Sequence, residues 1–310
     1  MRSDEEIVMK SFIVLLVLAC FNLHAKDLSS QYHSLYDAAG PVLTPDEIGT
    51  LASNELVLIN GIGSEFFLKD FIIDVSWATT EYFGVQKAYF EKMGMKVSRL
   101  APSSFGIQKA RAEVKETFDD LRARKVKATF ITHSLGGLLV LEHLVKYPAD
   151  QDLMGGVVFL QSPFHGSPVA SILRKAPLDT VEYLKVKNRE AFLNANAEAI
   201  ASFLAKVPVV LMAGVANQSN TVFTSTANFI RKGCLVVVRG RCTSIRRFKG
   251  PYDFSDGMVP LSSSHLNDAD HVTIPTVDHG ETVMNLPFQS VLKTRMSEVL
   301  LKLLLEKSKI

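Results

Sequence analysis

Residues 129–141 read TFITHSLGGLLVL, and the architecture turns on what this stretch forms. It starts in an apolar, β-branched run, Ala128 to Thr132, that breaks at His133-Ser134. The chain continues through Gly136-Gly137 into LLVLEHLVKYP, whose helical spacing stops before Pro148. A strand, a sharp turn and a helix in that order form the setting in which a G-x-S-x-G pattern has chemical meaning. The turn strains the serine backbone, and small residues let strand and helix approach closely. Gly136 supplies the second glycine, whereas Thr132 stands at the first position. The plain alternative is a polar residue at an ordinary strand-to-helix junction, and the rest of the chain must decide between the two.

Outward from this stretch, strand and helix patterns alternate. Upstream, LVLIN (Leu56 to Asn60) is a short buried-type strand followed by GIGSEFF. A helical TTEYFGVQKAYFEKMG precedes a second strand candidate, KVSRL, and the amphipathic GIQKARAEVKETFDDLRARK leads into the Ser134 strand. Downstream, GGVVFLQSP and VPVVLMAG are continuous apolar strands. Strands that are apolar on both faces and alternate with helices predict a parallel sheet covered by helices on both sides. Residues 167–206 are helical in composition where one crossover helix would suffice. That excess is expected to be a lid or cap over a site rather than a decorated crossover. Residues 216–255 carry two cysteines and the basic run RRFK, which is read as a solvated face.

The chain has 310 residues, 47% of them hydrophobic, and a net charge of +2. That suffices for one large core, and the near-neutral balance gives no electrostatic case for nucleic acid. The run FIVLLVLACF (Phe12 to Phe21) is too short to cross a bilayer as a helix. Lys10 precedes it and the small residue Ala25 follows, as in a secretory signal peptide cleaved after Ala25. Residues 1–25 are thus expected to be removed and 26–310 to form the domain, in a secreted or periplasmic protein. The acidic SDEE ahead of Met9 suits an n-region poorly, so Met9 is an alternative start. A rival reading makes VLAC a lipoprotein signal with Cys20 lipidated. If Cys20 leaves, Cys234 and Cys242 remain, and an even count in an oxidising compartment points to a disulfide. Two buried thiols are the alternative, and no histidine or cysteine stands at zinc-ligand spacing.

A serine becomes a nucleophile only with a base to take its proton and an acid to orient that base. FSDGMVPLSSS and TIPTVDHGETV follow Ser134 in the required order. Asp256 is a turn residue in the first, and His279 lies just after the predicted strand HVTIPTV, at the edge of a parallel sheet where catalytic groups gather. Each alone has a bland reading, a common Asp-Gly turn or a solvated loop histidine; their order is what carries weight. His133 is read as structural, because neighbours on a turn do not face each other. His143 falls on the helix, His265 near a serine-rich loop, His24 within the signal, and His271 at the wrong end of the last strand. Asp253, Asp268, Asp270 and Asp278 are alternative acids. An oxyanion hole needs backbone N–H donors: the predicted pair is Leu135, after the nucleophile, and Ile62, in a loop where Gly61 and Gly63 permit close approach.

These segments together resemble the α/β-hydrolase superfamily, and within it the bacterial triacylglycerol lipases and esterases. LVLINGIGSE is similar to the lipase strand that ends in His-Gly, with Asn60 in place of the histidine. THSLGG resembles the elbow, QSPFHGSPVA the segment leading into the lid, and SDGMVPLSS and VDHGET the segments bearing the acid and the histidine. They run in family order from about residue 55 to 283. The resemblance implies an α/β fold with a mostly parallel sheet, an exported serine hydrolase of carboxylic esters, and a Ser134–Asp256–His279 triad acting without a cofactor. It implies an ester or lipid substrate and transient contact with a lipid interface; nothing in the sequence identifies a dedicated foldase. Family members often hold a structural calcium near the histidine loop, but Glu281 alone does not make such a site. An acyltransferase or polyester depolymerase, and a catalytically silent envelope binding protein, are the competing expectations on the same fold.

Overall fold

The computed structural model describes residues 25–62, 82–104, 106–171, 179–216, 237–238, 241–242, 254–284 and 291–308. The lead-in elements are helix α1 (Ser29–Asp37) and helix α2 (Pro45–Ala52), the latter started by a Thr44–Glu47 capping box with Pro45 in the first turn. Strand β1 (Glu55–Ile59) follows, then α3 (Gly84–Lys92), β2 (Val97–Leu100), α4 (Ile107–Arg124) and β3 (Ala128–His133). Beyond the Ser134 turn come α5 (Leu135–Lys146), β4 (Met154–Leu160), α6 (Asp179–Tyr183), α7 (Val186–Ala195), α8 (Ala197–Lys206) and β5 (Val209–Val215). A two-residue antiparallel pair, β6 (Val237–Val238) and β7 (Arg241–Cys242), precedes β8 (Asp270–Pro275) and the last helix, α9 (Lys293–Lys307). Cys234, and the side chain of Cys242, lie outside the described residues, as do residues 1–24 and Gly63.

Six strands form one sheet in the order β2-β1-β3-β4-β5-β8, and every pairing in it is parallel. β1, β3 and β5 are buried along nearly their whole length, which is why they read as mainly apolar and β-branched rather than as alternating runs. Helices cover both faces. One layer packs α1, α3 and α9 against Leu58, Ile131, Val210 and Val272; the other packs α4, α5 and α8 against Val57, Phe130, Phe159 and Leu211. On α4 the buried residues Ile107, Ala110, Val114, Phe118 and Leu121 recur every three or four positions, giving one apolar face. Phe118 stacks on Phe130 at 5.2 Å, and truncating so buried a ring costs about 3–5 kcal/mol.

Two features of the connectivity position a site. The chain leaves β1 for β2 on one side and returns to β3 on the other, so the strand order reverses at the C-terminal ends of β1 and β3. Ligands of open parallel sheets bind at such a reversal. Secondly, the excess helical chain between β4 and β5 attaches at that same edge. The Asp179 carboxylate, opening α6, accepts the Ile107 N–H at the start of α4 at 3.0 Å, while α8 makes the crossover and packs against α5. At the far edge, Lys26 to Leu28 extend the sheet: Leu28 N–H donates to His271 O at 2.8 Å and His271 N–H to Lys26 O at 3.0 Å.

Candidate active site

Ser134 occupies the turn between β3 and α5 with φ 52° and ψ −122°, a left-handed backbone that is strained for a residue with a Cβ. Its N–H donates to Leu160 O at 2.9 Å and its carbonyl accepts from Gly137 N–H at 3.1 Å, so the neighbouring strand and the first helical turn hold the strain in place. The two following glycines are required by contact. A Cβ on Gly136 would lie 2.5 Å from Asn60 O, and one on Gly137 would lie 2.1 Å from Ser162 Oγ. Thr132, at the position the pattern gives to glycine, is fully buried and points its hydroxyl toward Val158 O at 3.4 Å. A side chain fits there because it faces the neighbouring strand rather than the helix.

The loop after β8 brings His279 to the serine: its Nε2 stands 3.1 Å from Ser134 Oγ. Its Nδ1 is 2.7 Å from Asp256 Oδ2. The other carboxylate oxygen, Oδ1, accepts the N–H groups of Met258 and Val259 at 2.9 and 2.7 Å, and the His279 N–H donates to Asp256 O at 2.9 Å. Asp256 is 1% exposed; a carboxylate this buried is tolerated because each oxygen has a donor. Three residues separated by 122 and 23 positions in the chain thus form one hydrogen-bonded line.

The predicted oxyanion donors, Leu135 and Ile62, directly follow Ser134 and Gly61 in the chain. Leu135 is the first residue of α5, where an N–H has no acceptor within the helix. Ile62 follows Gly61, whose backbone presses on the serine: a Cβ on Gly61 would meet Ser134 Cβ and the Tyr82 hydroxyl at 2.8 Å each. Asn60, where the resemblance expects histidine, directly follows β1 and is buried.

The other candidates are held elsewhere. His143 Nε2 pairs with Asp150 at 2.8 Å, and burial pushes its pKa down despite that carboxylate. The rings of His265 and His271 lie 4.4 Å apart, tilted by 41°, at the N-terminal end of β8, and burial followed by the charge of His271 lowers His265 to about 4. Asp270 lies 3.0 Å from Lys307 Nζ and accepts the Lys26 N–H at 2.9 Å. Asp268 is a left-handed turn residue, and Asp278 Oδ1 accepts the Gly280 N–H at 3.0 Å. Both carboxylate oxygens of Glu281 accept backbone N–H groups, of Asp278 at 3.2 Å and of Val291 at 3.1 Å. Among the described residues, no group of three or more His, Cys, Asp or Glu is arranged to hold a metal ion. Asp253 and His24 lie outside them.

Two residues at the site escape sequence reasoning. Gln161, left-handed at φ 49°, donates from Nε2 to Asp278 O at 3.1 Å and accepts from Thr282 Oγ1 at 2.8 Å, clamping the histidine loop. Tyr82, beside the glycine loop, bonds to His133. A lone glutamine after a strand and a lone tyrosine before a helix carry no local signal; only the closing of distant loops gives them partners.

No protein-family model matches the sequence, and no curated protein matches it. Among solved structures, the chain is similar to a metagenomic carboxyl esterase, with a TM-score of 0.60 and 19% identity, over 82% of this chain and 76% of that one. It is also similar to a Bacillus licheniformis lipase in its mature form, with a TM-score of 0.51 and 15% identity, over 74% of this chain and 85% of the other. At such identities the likeness speaks for architecture, and with the six parallel strands, their order and the covering helices it establishes that this chain has the α/β-hydrolase fold.

Proposed function

We propose that the protein is a serine hydrolase of carboxylic esters, of the esterase or lipase kind. What supports this most is the hydrogen-bonded line Ser134–His279–Asp256, with donor–acceptor distances of 3.1 and 2.7 Å, at the point where the strand order reverses. The esterase and lipase named in the two similar structures agree with it. Ser134 Oγ attacks the ester carbonyl carbon, and its proton passes to His279 Nε2 as the C–O bond forms. Asp256, accepting from Nδ1, keeps the receiving nitrogen free of hydrogen and stabilises the imidazolium. The N–H groups of Ile62 and Leu135 take up the charge that develops on the carbonyl oxygen. The tetrahedral intermediate collapses, His279 returns the proton to the leaving alcohol, and a water activated by the same imidazole hydrolyses the acyl-enzyme.

Helices α6 and α7 then serve as a lid within residues 167–206, since they attach at the edge that bears the serine. Export belongs to the same proposal. A cut after Ala25 would leave Lys26 as the first residue, where the chain begins to pair with β8, and its α-amino group would face Asp270 Oδ1, 2.9 Å from that nitrogen. The deciding experiment is a chain-length series of p-nitrophenyl esters with wild type and Ser134→Ala, alongside fluorophosphonate labelling. Turnover and labelling of wild type, both lost in Ser134→Ala, support the hydrolase. Activity retained in Ser134→Ala refutes the nucleophile, and an unlabelled, inactive wild type supports a silent binding protein.

A further inference from the structure

His133 is the residue before the serine, yet its ring reaches the base. Its Nε2 lies 2.7 Å from His279 O, a carbonyl that can only accept, so Nε2 carries the hydrogen. Burial, and then the charge of His279, hold His133 well below the ordinary histidine range, so the ring carries one hydrogen only and Nδ1 is an acceptor. Its partner there is the hydroxyl of Tyr82, a phenol that burial keeps protonated. The Tyr82 oxygen in turn accepts the Gly61 N–H at 2.9 Å. Every donor and acceptor direction in this chain is therefore fixed, running from Gly61 through Tyr82 and His133 to the backbone of His279. The same stretch is stitched to the histidine loop twice more, by Phe83 N–H to Val283 O at 2.9 Å and Gln86 Nε2 to Thr282 O at 2.7 Å.

We propose that Tyr82 and His133 are positioning residues that tie the loop carrying the Ile62 N–H to the loop carrying His279, fixing the oxyanion donor and the base relative to Ser134 as the tetrahedral intermediate forms. The inference rests on the Ser134–His279–Asp256 triad proposed above. It assigns His133 a part other than a structural one, and gives Gly61 a second constraint. The Gly61 N–H is spent on Tyr82, which leaves the next N–H, that of Ile62, to face the substrate oxygen. Such fixing acts on the transition state more than on ground-state binding, because only there must oxyanion donor and base engage together.

The test uses the full exported protein with Tyr82→Phe, His133→Gln (which keeps an N–H able to reach His279 O) and the double variant. kcat is normalised to sites titrated to completion with a fluorophosphonate, so misfolded protein is not counted. In Tyr82→Phe, kcat per titrated site is expected to fall about tenfold or more, the scale of one buried hydrogen bond realised in the transition state. KM stays within about twofold. Affinity for a boronic acid that mimics the tetrahedral adduct falls in step with kcat. The double variant is no worse than the poorer single, because both break one chain. A kcat per site in Tyr82→Phe within twofold of wild type (on the scale of), or losses that multiply in the double variant, overturns the inference. If Ser134→Ala is inactive while Tyr82→Phe is normal, only this inference falls; if Ser134→Ala is active, the triad falls and takes it along.

Discussion

Asp256→Asn changes the polarity of one atom in the proposed relay while keeping its shape. Asp256 Oδ1 already accepts two backbone N–H groups, at 2.9 and 2.7 Å, so the asparagine oxygen is drawn to that position. Turning the amide over would forfeit both bonds, at about 1 kcal/mol each. The new NH2 group therefore replaces Oδ2, 2.7 Å from His279 Nδ1, and an N–H faces an N–H. The imidazole relieves this by moving its hydrogen to Nε2, the nitrogen 3.1 Å from Ser134 Oγ. That nitrogen then donates to the serine where it must accept. A wrong tautomer in an otherwise intact triad costs about 10⁴ in kcat, or about 5.5 kcal/mol of barrier. The assay is kcat on a short-chain p-nitrophenyl ester, with urea denaturation in parallel to show that the fold persists. If Asp256→Asn retains kcat within about tenfold of wild type, or if Asp270→Asn is the crippling change, Asp256 is not the acid.

Gly136→Ala should destabilise the fold by about 1–3 kcal/mol in chemical denaturation, because the new Cβ meets backbone that a rotamer change cannot move; an unchanged midpoint would contradict the close approach to Asn60 O. Glu47 gives a pH dependence. Burial raises its pKa, but hydrogen bonds from Lys302 and Thr44 outweigh this and bring it to about 2, against an ordinary 4.5. A carboxyl depressed on folding stabilises the protein above its unfolded pKa, and that share is lost as pH falls through the folded value. Glu47→Gln should therefore lower thermal stability at pH 7, and the difference from wild type should shrink from about pH 4.5 downward and vanish near pH 2. Intact mass of the exported protein, before and after reduction and alkylation, should show an N-terminus at Lys26 and a Cys234–Cys242 disulfide; two thiols alkylated without reduction would exclude the bond.

The order of residues alone sets out the alternation of elements and the strand-turn-helix around Ser134. Buried parallel strands must be apolar on both faces, α4 must show an apolar stripe, and Gly136-Gly137 must be small; each of these is a local constraint written in adjacent residues. It also ordered Ser134, Asp256 and His279 along the chain as candidates. What it could not supply was distance. That Asp256 rather than Asp270 lies beside His279 follows from the sheet: Asp270 begins β8 and His279 follows its end, so six parallel strands send them to opposite edges. His133 reads as structural because a turn sends neighbouring side chains apart, and nothing in its own segment announces which partners it takes. Its bonds to Tyr82 and to the His279 carbonyl span 51 and 146 positions, and only the tertiary structure decides such pairings, because a hydrogen bond depends on where two loops meet rather than on what either loop spells.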